Sequence, residues 1–363
     1  MRVAISTGGG DCPGLNGVIR AAVLRGILEY GWEMVGITDG LEGLISGQGL
    51  VPLTVDDVRD IHGQGGTILG TTNRGNPFRY RVRDGGQWVE QDISGHVIHN
   101  ARSAGIDAVI FVGGDGTQEI AWRLAGLGLQ VVGVPKTIDN DLLATDYTFG
   151  FDSAVETVVE ALDKLRTTAR SHDRTMLLEV MGRHAGWIAL HSGIAGGADV
   201  VVLPEIPYDP EVIHRHLQAR RESGIAYNIV VVAEGAFSRS GSASILQQAG
   251  TGTVARLGGA GDELARQLSA LGDYELRVTV LGHLQRGGTP SSTDRVLATR
   301  FGAAAVGLVA NGQFGRMVCL RGDTIESVPM ADVAGRQKHI GLDSQLLQTA
   351  RSVGICLGDE RVD

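Results

Sequence analysis

The sequence predicts an α/β fold of two Rossmann-like lobes with mainly parallel sheets and a ligand site in the cleft between them. Three observations carry that prediction. Short β-branched runs alternate with helix-length segments, the pattern of right-handed βαβ units. Runs such as "AVIFV" and "IVVVA" are apolar throughout, as strands covered on both faces are. Glycine-rich and polar turns repeatedly follow such runs, where open parallel sheets bind ligands. The chain's 363 residues exceed the usual size of a single core, hence two lobes.

Read in order, "RVAIST" predicts the first strand and residues 14–30 the helix after it. "WEMVGIT", "DAVIFVGG" and "VVGVP" continue as strands, with "TQEIAWRLAGLG" a helix between the last two. A long helical pattern spans 152–169, followed by the strand "TMLLEVMG", a helix near 184–195 and the strand "DVVVLPE". A helix near 210–223 leads to the strand "NIVVVAEG", and "LRVTVLG" with a helix at 292–311 completes the series. The Gly-, Ser- and Ala-rich stretch at 238–261 reads as a mobile loop or an insertion.

Bulk composition narrows the function classes. A net charge of −9 argues against a nucleic-acid or membrane-surface partner held by bulk electrostatics. It leaves room for small anions caught by local arginines and backbone N–H groups. Cys12, Cys319 and Cys356 stand far apart, which disfavours a cysteine zinc site and suits a reducing cytoplasm. Cys12 reads as a small packing thiol, because no partner base can be assigned to it. "MRVAIST" lacks a signal peptide's apolar core, and no apolar run reaches bilayer-spanning length, so a cytoplasmic location is expected.

The turns carry the chemistry. "GGGDCPGLNGVIR" is not a P-loop; it is a glycine turn entering a helix, where N–H groups and the helix dipole favour an anion. A plain tight turn explains it equally well. In "GGDGT" (113–117), Gly114 and Gly116 allow close ligand approach, Asp115 can hold Mg²⁺ directly or through water, and Thr117 opens or caps the next helix. "PKTIDND" (135–141) sets Lys136, one of three lysines beside Lys164 and Lys338, near Asp139 and Asp141. The two aspartates are expected to point different ways and do different jobs, one accepting a hydroxyl proton and the other helping to place Mg²⁺. The bland reading is an Asx-turn with two solvated acids. Arg174 and Arg183 bracket one strand, Arg277 and Arg286 another, and guanidinium forks bind phosphate bidentately. Taken alone, His283 reads as a structural histidine and Met181 as core or pocket wall.

The string "GGDGT" resembles the nucleotide loops of NAD kinases, diacylglycerol kinases and phosphofructokinases alike. With "PKTIDND", "EVMGR" and "RVTVLGHLQRGGTPSSTDR" in this order and at roughly this spacing, the chain is similar to the phosphofructokinase A family from its first strand to about residue 320. The resemblance implies phosphoryl transfer from ATP to the 1-hydroxyl of fructose 6-phosphate with Mg²⁺, in a homotetramer or homodimer whose active site spans subunits. It implies Asp139 as general base, Thr137 and Asp141 at the sugar and the metal, and Asp115 as Mg²⁺ ligand. The donor would lie against Gly10, Asp11, Gly114, Gly116, Thr117 and Lys136, with Gly10 at the transferred phosphate. Met181, Gly182, Arg183 and Glu234 would hold the sugar, and Arg277, His283 and Arg286 its 6-phosphate. Arg174 and Arg277 would come from the neighbouring subunit. Residues 1–150 with 285–335 would form the donor lobe, and 151–284 with 336–363 the sugar lobe.

Three departures qualify the likeness. ATP enzymes of the family usually carry glycine after the "GGD" aspartate and before "TID", and pyrophosphate enzymes aspartate and lysine. This chain has Gly116 and Lys136, one of each. Gly116 leaves space for a nucleotide's inner phosphate, and a flexible Lys136 can swing aside, so ATP is the expected donor and pyrophosphate the alternative. In "GTTNRGNPF" the family's arginine position holds Asn73, and Arg74, one residue later, is expected to clamp the bridging phosphates. Arg20 and Arg166 resemble effector-site arginines, which implies allosteric control without naming an effector. The remoter alternatives are another "GGDGT" kinase, of NAD or lipid, and a catalytically silent sugar-phosphate sensor. Neither gives a role to "TIDND", "MGR" and "GHLQRGG" together with intact acids.

Overall fold

The structure, a computed structural model, describes residues 1–241, 245–247 and 256–360. Its elements, in chain order, are β1 (Arg2–Thr7), α1 (Leu15–Tyr30), β2 (Glu33–Ile37), α2 (Glu42–Ser46), β3 (Leu50–Leu53), β4 (Tyr80–Asp84), β5 (Gln87–Gln91), α3 (Ser94–Ser103), β6 (Ala108–Gly113), α4 (Asp115–Gly126), β7 (Val131–Pro135) and α5 (Phe151–His172). The second half adds β8 (Thr175–Val180), α6 (Trp187–Ala195), β9 (Val200–Val202), α7 (Pro210–Glu222), β10 (Asn228–Ala233), β11 (Ile245–Gln247), β12 (Arg256–Leu257), α8 (Ala260–Leu271), β13 (Leu276–Val280), α9 (Ser292–Ala310), β14 (Arg316–Arg321), β15 (Thr324–Pro329) and α10 (Gln345–Ser352).

The chain divides into two compact units. One comprises residues 1–138, 142–153 and 286–337, the other residues 139–141, 154–285 and 338–363. The first is built on a seven-stranded sheet in the order β15-β14-β7-β6-β1-β2-β3. Its five inner strands are parallel, and β3 and β15 are antiparallel edges. Pro52 in β3 offers no N–H, and proline is tolerated in a sheet only at such an edge. The second unit has an all-parallel sheet, β13-β8-β10-β9. Strands β1, β6, β7, β8 and β10 are almost wholly buried, as their unbroken apolar runs require.

Register decides which turns come together. Thr7 pairs with Val112 and Gly113 with Pro135, so the turns after β1, β6 and β7 leave the first sheet side by side. In the other sheet Val180 pairs with Ala233 and Val280 with Glu179, which gathers the turns after β8, β10 and β13 in the same way. Helix starts follow local chemistry. Asp209, Ser291 and Ser344 cap α7, α9 and α10 through their side-chain oxygens. The supposed loop at 238–261 lies partly outside the described residues. No helix among the described residues is long and apolar enough to cross a membrane.

Candidate active site

In the first unit the three turns form a surface made largely of main chain. The N–H of Gly8 donates to Val112 O at 2.9 Å, that of Gly9 to Thr72 O at 3.2 Å, and Thr71 Oγ1 to Gly9 O at 2.5 Å. Lys136 N–H bonds Gly113 O at 3.1 Å, and its ammonium donates to the carbonyl of Gly10. The expectation of a flexible lysine is therefore corrected: the residue is only 3% exposed and is tied to the opposing turn. The Arg286 Nη1 donates to Asp11 O at 3.2 Å, and a methyl group added at Gly10 would sit 2.5 Å from that nitrogen. Arg286 thus lies with Gly10 and Asp11. Arg74 is exposed, its N–H held by Thr72 Oγ1 at 3.1 Å.

Asp115 opens α4 behind an extended Gly114. Thr117 does not cap this helix, because the cap position is Gly114; its hydroxyl packs toward Gly8, 2.8 Å from where a methyl group would be. Gly116 is exposed, and an added Cβ would meet nothing within 4 Å. No protein atom therefore requires a glycine there, although glycine costs a helix about 1 kcal/mol relative to alanine. Cys12 is fully buried, its Sγ 3.8 Å from Phe149 O, and burial pushes its thiol up to about 12. That is a packing thiol and not a nucleophile.

The "PKTIDND" turn is where the chain passes from one unit to the other: residues up to Ile138 group with the first and Asp139–Asp141 with the second. Thr148 Oγ1 bonds Thr137 O at 2.7 Å. An extended segment would set residues two apart on one face, which corrects the simple expectation about Asp139 and Asp141. The segment is not extended throughout, because Asn140 between them is buried and left-handed at φ 50°. Asparagine tolerates this conformation better than most residues.

In the second unit the turns are braced by side chains. Gln285 Oε1 accepts the N–H of Met181 at 3.2 Å. Gly182 adopts φ 136°, and a Cβ there would lie 2.9 Å from Ala185 O. The N–H of Glu234 bonds Val180 O at 2.8 Å and that of Gly235 bonds Gly182 O at 3.1 Å, which sets Glu234 beside Met181, Gly182 and Arg183. Glu205 accepts the N–H of Gly186 at 3.1 Å and of Ile340 at 3.0 Å, and burial pushes its carboxyl above the ordinary range.

Arg174 and Arg277 are brought together elsewhere. Both pair with Glu275 Oε1, at 2.6 and 2.9 Å, and the Arg174 hydrogen bond holds that carboxyl below the ordinary range. Arg174 immediately precedes β8 and Arg277 is the second residue of β13, whereas Arg183 and His283 follow those strands. A six-residue strand is about 20 Å long, so Arg174 and Arg183 stand at opposite ends of β8. His283 is exposed on a short 3₁₀ turn. Arg166 donates to Gly197 O at 2.7 Å and also to Gly196 O, and Arg20 donates to Arg59 O at 3.3 Å.

The donor set fits Mg²⁺ bound together with a polyphosphate. Such a metal takes one or two carboxylates, keeps several waters and binds substrate phosphates. Asp115 is half-buried, with Gln337 Nε2 3.5 Å from Oδ2 and no ion pair among the described residues. No group of three or more His, Cys, Asp or Glu able to hold a metal by itself occurs among the described residues.

Sequence reasoning missed the braces. Gln118, fully buried, joins the ends of β6 and β7 by donating to Gly113 O and Val134 O, both at 3.0 Å. Glu205, Glu275, Gln285 and Lys338 were likewise passed over. The signal for Gln118 was a polar residue on an otherwise apolar helix face; Glu275 stands two residues from its partner Arg277, and Glu205, Gln285 and Lys338 gave no signal because the partners they brace are distant in sequence.

Comparison with known proteins gives the family. A phosphofructokinase family model matches residues 2–309. An ATP-dependent 6-phosphofructokinase of Chloroflexus aurantiacus is 49% identical over 99% of this chain and 98% of its own length. A pyrophosphate–fructose 6-phosphate 1-phosphotransferase of Streptomyces coelicolor is 50% identical over 94% of this chain and 96% of its own. The crystal structure of Pichia pastoris phosphofructokinase in the T-state superposes with a TM-score of 0.79 at 32% identity, covering 97% of this chain and 36% of that longer one. The chain belongs to the phosphofructokinase family.

Proposed function

We propose that this chain transfers the terminal phosphoryl group of ATP to the 1-hydroxyl of fructose 6-phosphate. The observation that carries the reading is the register of the two sheets. One gathers three glycine-rich turns into a main-chain cradle suited to phosphates, and the other gathers the braced turns that carry Arg183 and Glu234. The "PKTIDND" segment belongs to both sets.

In this reading Asp139 accepts the proton of the 1-hydroxyl as its oxygen attacks the terminal phosphorus. The bond from that phosphorus to the bridging oxygen breaks, and ADP leaves. Gly10 and Lys136 line the path of the transferred group, and Arg74 with Arg183 stabilises charge spread over its oxygens. Thr137, Asp141, Met181, Gly182, Arg183 and Glu234 orient the sugar. Asp115, with Asp141, would hold Mg²⁺, which when bound neutralises charge on the phosphates. Arg174 and Arg277, placed at the far ends of their strands, would serve the 6-phosphate of a neighbouring subunit beside that subunit's His283 and Arg286. The enzyme is then a homo-oligomer whose sites are shared, and its free cysteines fit a reducing cytoplasm.

The open space beside Gly116 favours ATP. The buried ammonium of Lys136 favours the second reading, pyrophosphate, because it puts a fixed positive charge at the glycine turn. Specificity constants with fructose 6-phosphate, Mg²⁺ and either donor decide between them. A higher constant with ATP is expected, a higher one with pyrophosphate reverses the donor, and turnover with neither ends the proposal.

A further inference from the structure

Asn140 needs support. It is buried and left-handed at φ 50°, a conformation that asparagine tolerates but that persists inside a turn only where the surroundings hold it. One residue supplies two hydrogen bonds to this turn: Lys338 N–H donates to Asp141 O at 2.7 Å, and Lys338 Nζ donates to Asn140 Oδ1 at 3.1 Å. Lys338 is itself fixed. Trp187 Nε1 donates to its carbonyl at 3.0 Å, and the ammonium lies 5.4 Å from the centre of the Trp187 ring. The next two residues continue the attachment, His339 Nδ1 to His184 O at 2.9 Å and Ile340 N–H to Glu205 at 3.0 Å. Residues 338–340 are thus a strap from the aspartate turn to the start of α6, beside the turn that carries Arg183.

We infer that Lys338 is a positioning residue, which holds the Asn140 turn in the one conformation that gives Asp139 and Asp141 separate tasks. The inference rests on the reading of Asp139 as the proton acceptor. Of the three lysines, Lys164 pairs with Glu160 on an exposed helix face and Lys136 sits in the glycine cradle. Lys338 has the geometry of a brace: its main chain and its side chain act on adjacent residues of one turn.

The test is steady-state kinetics of Lys338→Met, Asn140→Gly, the double variant and Asp139→Asn, with fructose 6-phosphate binding measured by calorimetry on each. A small misplacement of a reacting group costs up to about 10²-fold. Lys338→Met should therefore lower kcat about 10–100-fold and leave the affinity for fructose 6-phosphate within about threefold. In the Asn140→Gly background the same substitution should cost less than about twofold. Three results overturn the inference: unchanged kcat in Lys338→Met, an undiminished penalty in the Asn140→Gly background, or loss of sugar binding in parallel with kcat, which marks a merely structural residue. Near-normal turnover of Asp139→Asn removes the underlying reading as well. Collapse of Asp139→Asn with an active Lys338→Met removes only the brace.

Discussion

The turns that end the seven-stranded sheet and those that end the four-stranded sheet are held by different means. In the first set, glycines bring main chain against main chain, and the two cations among them, Lys136 and Arg286, donate to carbonyls of Gly10 and Asp11. In the second set, side chains from distant positions take up loop N–H groups: Gln285 that of Met181, Glu205 those of Gly186 and Ile340, and Glu179 those of Gly259 and Gly261. Glycine turns packed main chain to main chain leave room for a polyphosphate of either kind on the proposed reading, because every phosphate presents similar oxygens. A braced pocket recognises one arrangement of hydroxyls, because each donor is fixed in direction. On the proposed reading, the contrast accords with relatives of nearly equal identity that are named as ATP-dependent and as pyrophosphate enzymes.

The largest effect should come from the turn that joins the two sets. Asp139→Asn is expected to lower kcat by roughly 10²–10⁴, with sugar-phosphate binding retained, as read by coupled assay and calorimetry. Near-normal turnover would remove it from the role of base. Next is the proposed sharing of one site between two chains. Asp139→Asn and Arg277→Ala are each expected to be nearly inactive alone, and co-expression should restore activity, because a mixed oligomer rebuilds one intact site. No recovery in mixed oligomers isolated by tandem tags would place each site within a single chain.

A smaller effect separates the donors at the cradle. Gly116→Asp should reduce kcat/KM for ATP about 10²-fold, since a like charge beside phosphate costs several kcal/mol. The loss with pyrophosphate should be much less. Equal losses would show that the open space at 116 is not where the nucleotide lies.

The smallest effect tests the packing of α9 against the start of α5 within the first unit. Asp294 Oδ2 accepts Ser153 N–H at 2.8 Å and Ser153 Oγ at 2.6 Å, and burial pushes its carboxyl up to about 6. The folded state therefore holds this proton more tightly than the unfolded chain. Its contribution to stability is full below pH about 4 and is lost as pH rises to about 6. Relative to Asp294→Asn, the wild-type unfolding midpoint should fall by a few degrees across that interval and stay level above it. A difference independent of pH would mean that Asp294 is ionised throughout.

Much of this was legible in the sequence. The runs from "RVAIST" to "LRVTVLG" became β1, β2, β6, β7, β8, β9, β10 and β13, because an apolar β-branched run of that length has few other ways to bury itself. The hairpin β4–β5 and the edge strand β15 were missed because their sequences are half-polar, and the short apolar runs of the edge strand β3 and the inner strand β14 were passed over as well. Among candidate residues, the glycines and aspartates of the turns stood out by type and spacing. Thr117 and Lys136 were misjudged because capping and flexibility are default properties, which Gly114 and the Gly10 carbonyl override here.

By itself the sequence determined the alternation of strands and helices and the residue types at each strand's end, because burial and turn conformation are dictated within a few residues. Only the tertiary structure decided which ends lie side by side, and that Arg174 and Arg277 meet at Glu275. It alone placed Lys338 on Asn140, some 200 residues distant in the chain. Such contacts depend on sheet register and chain return, and neither is encoded in any local run.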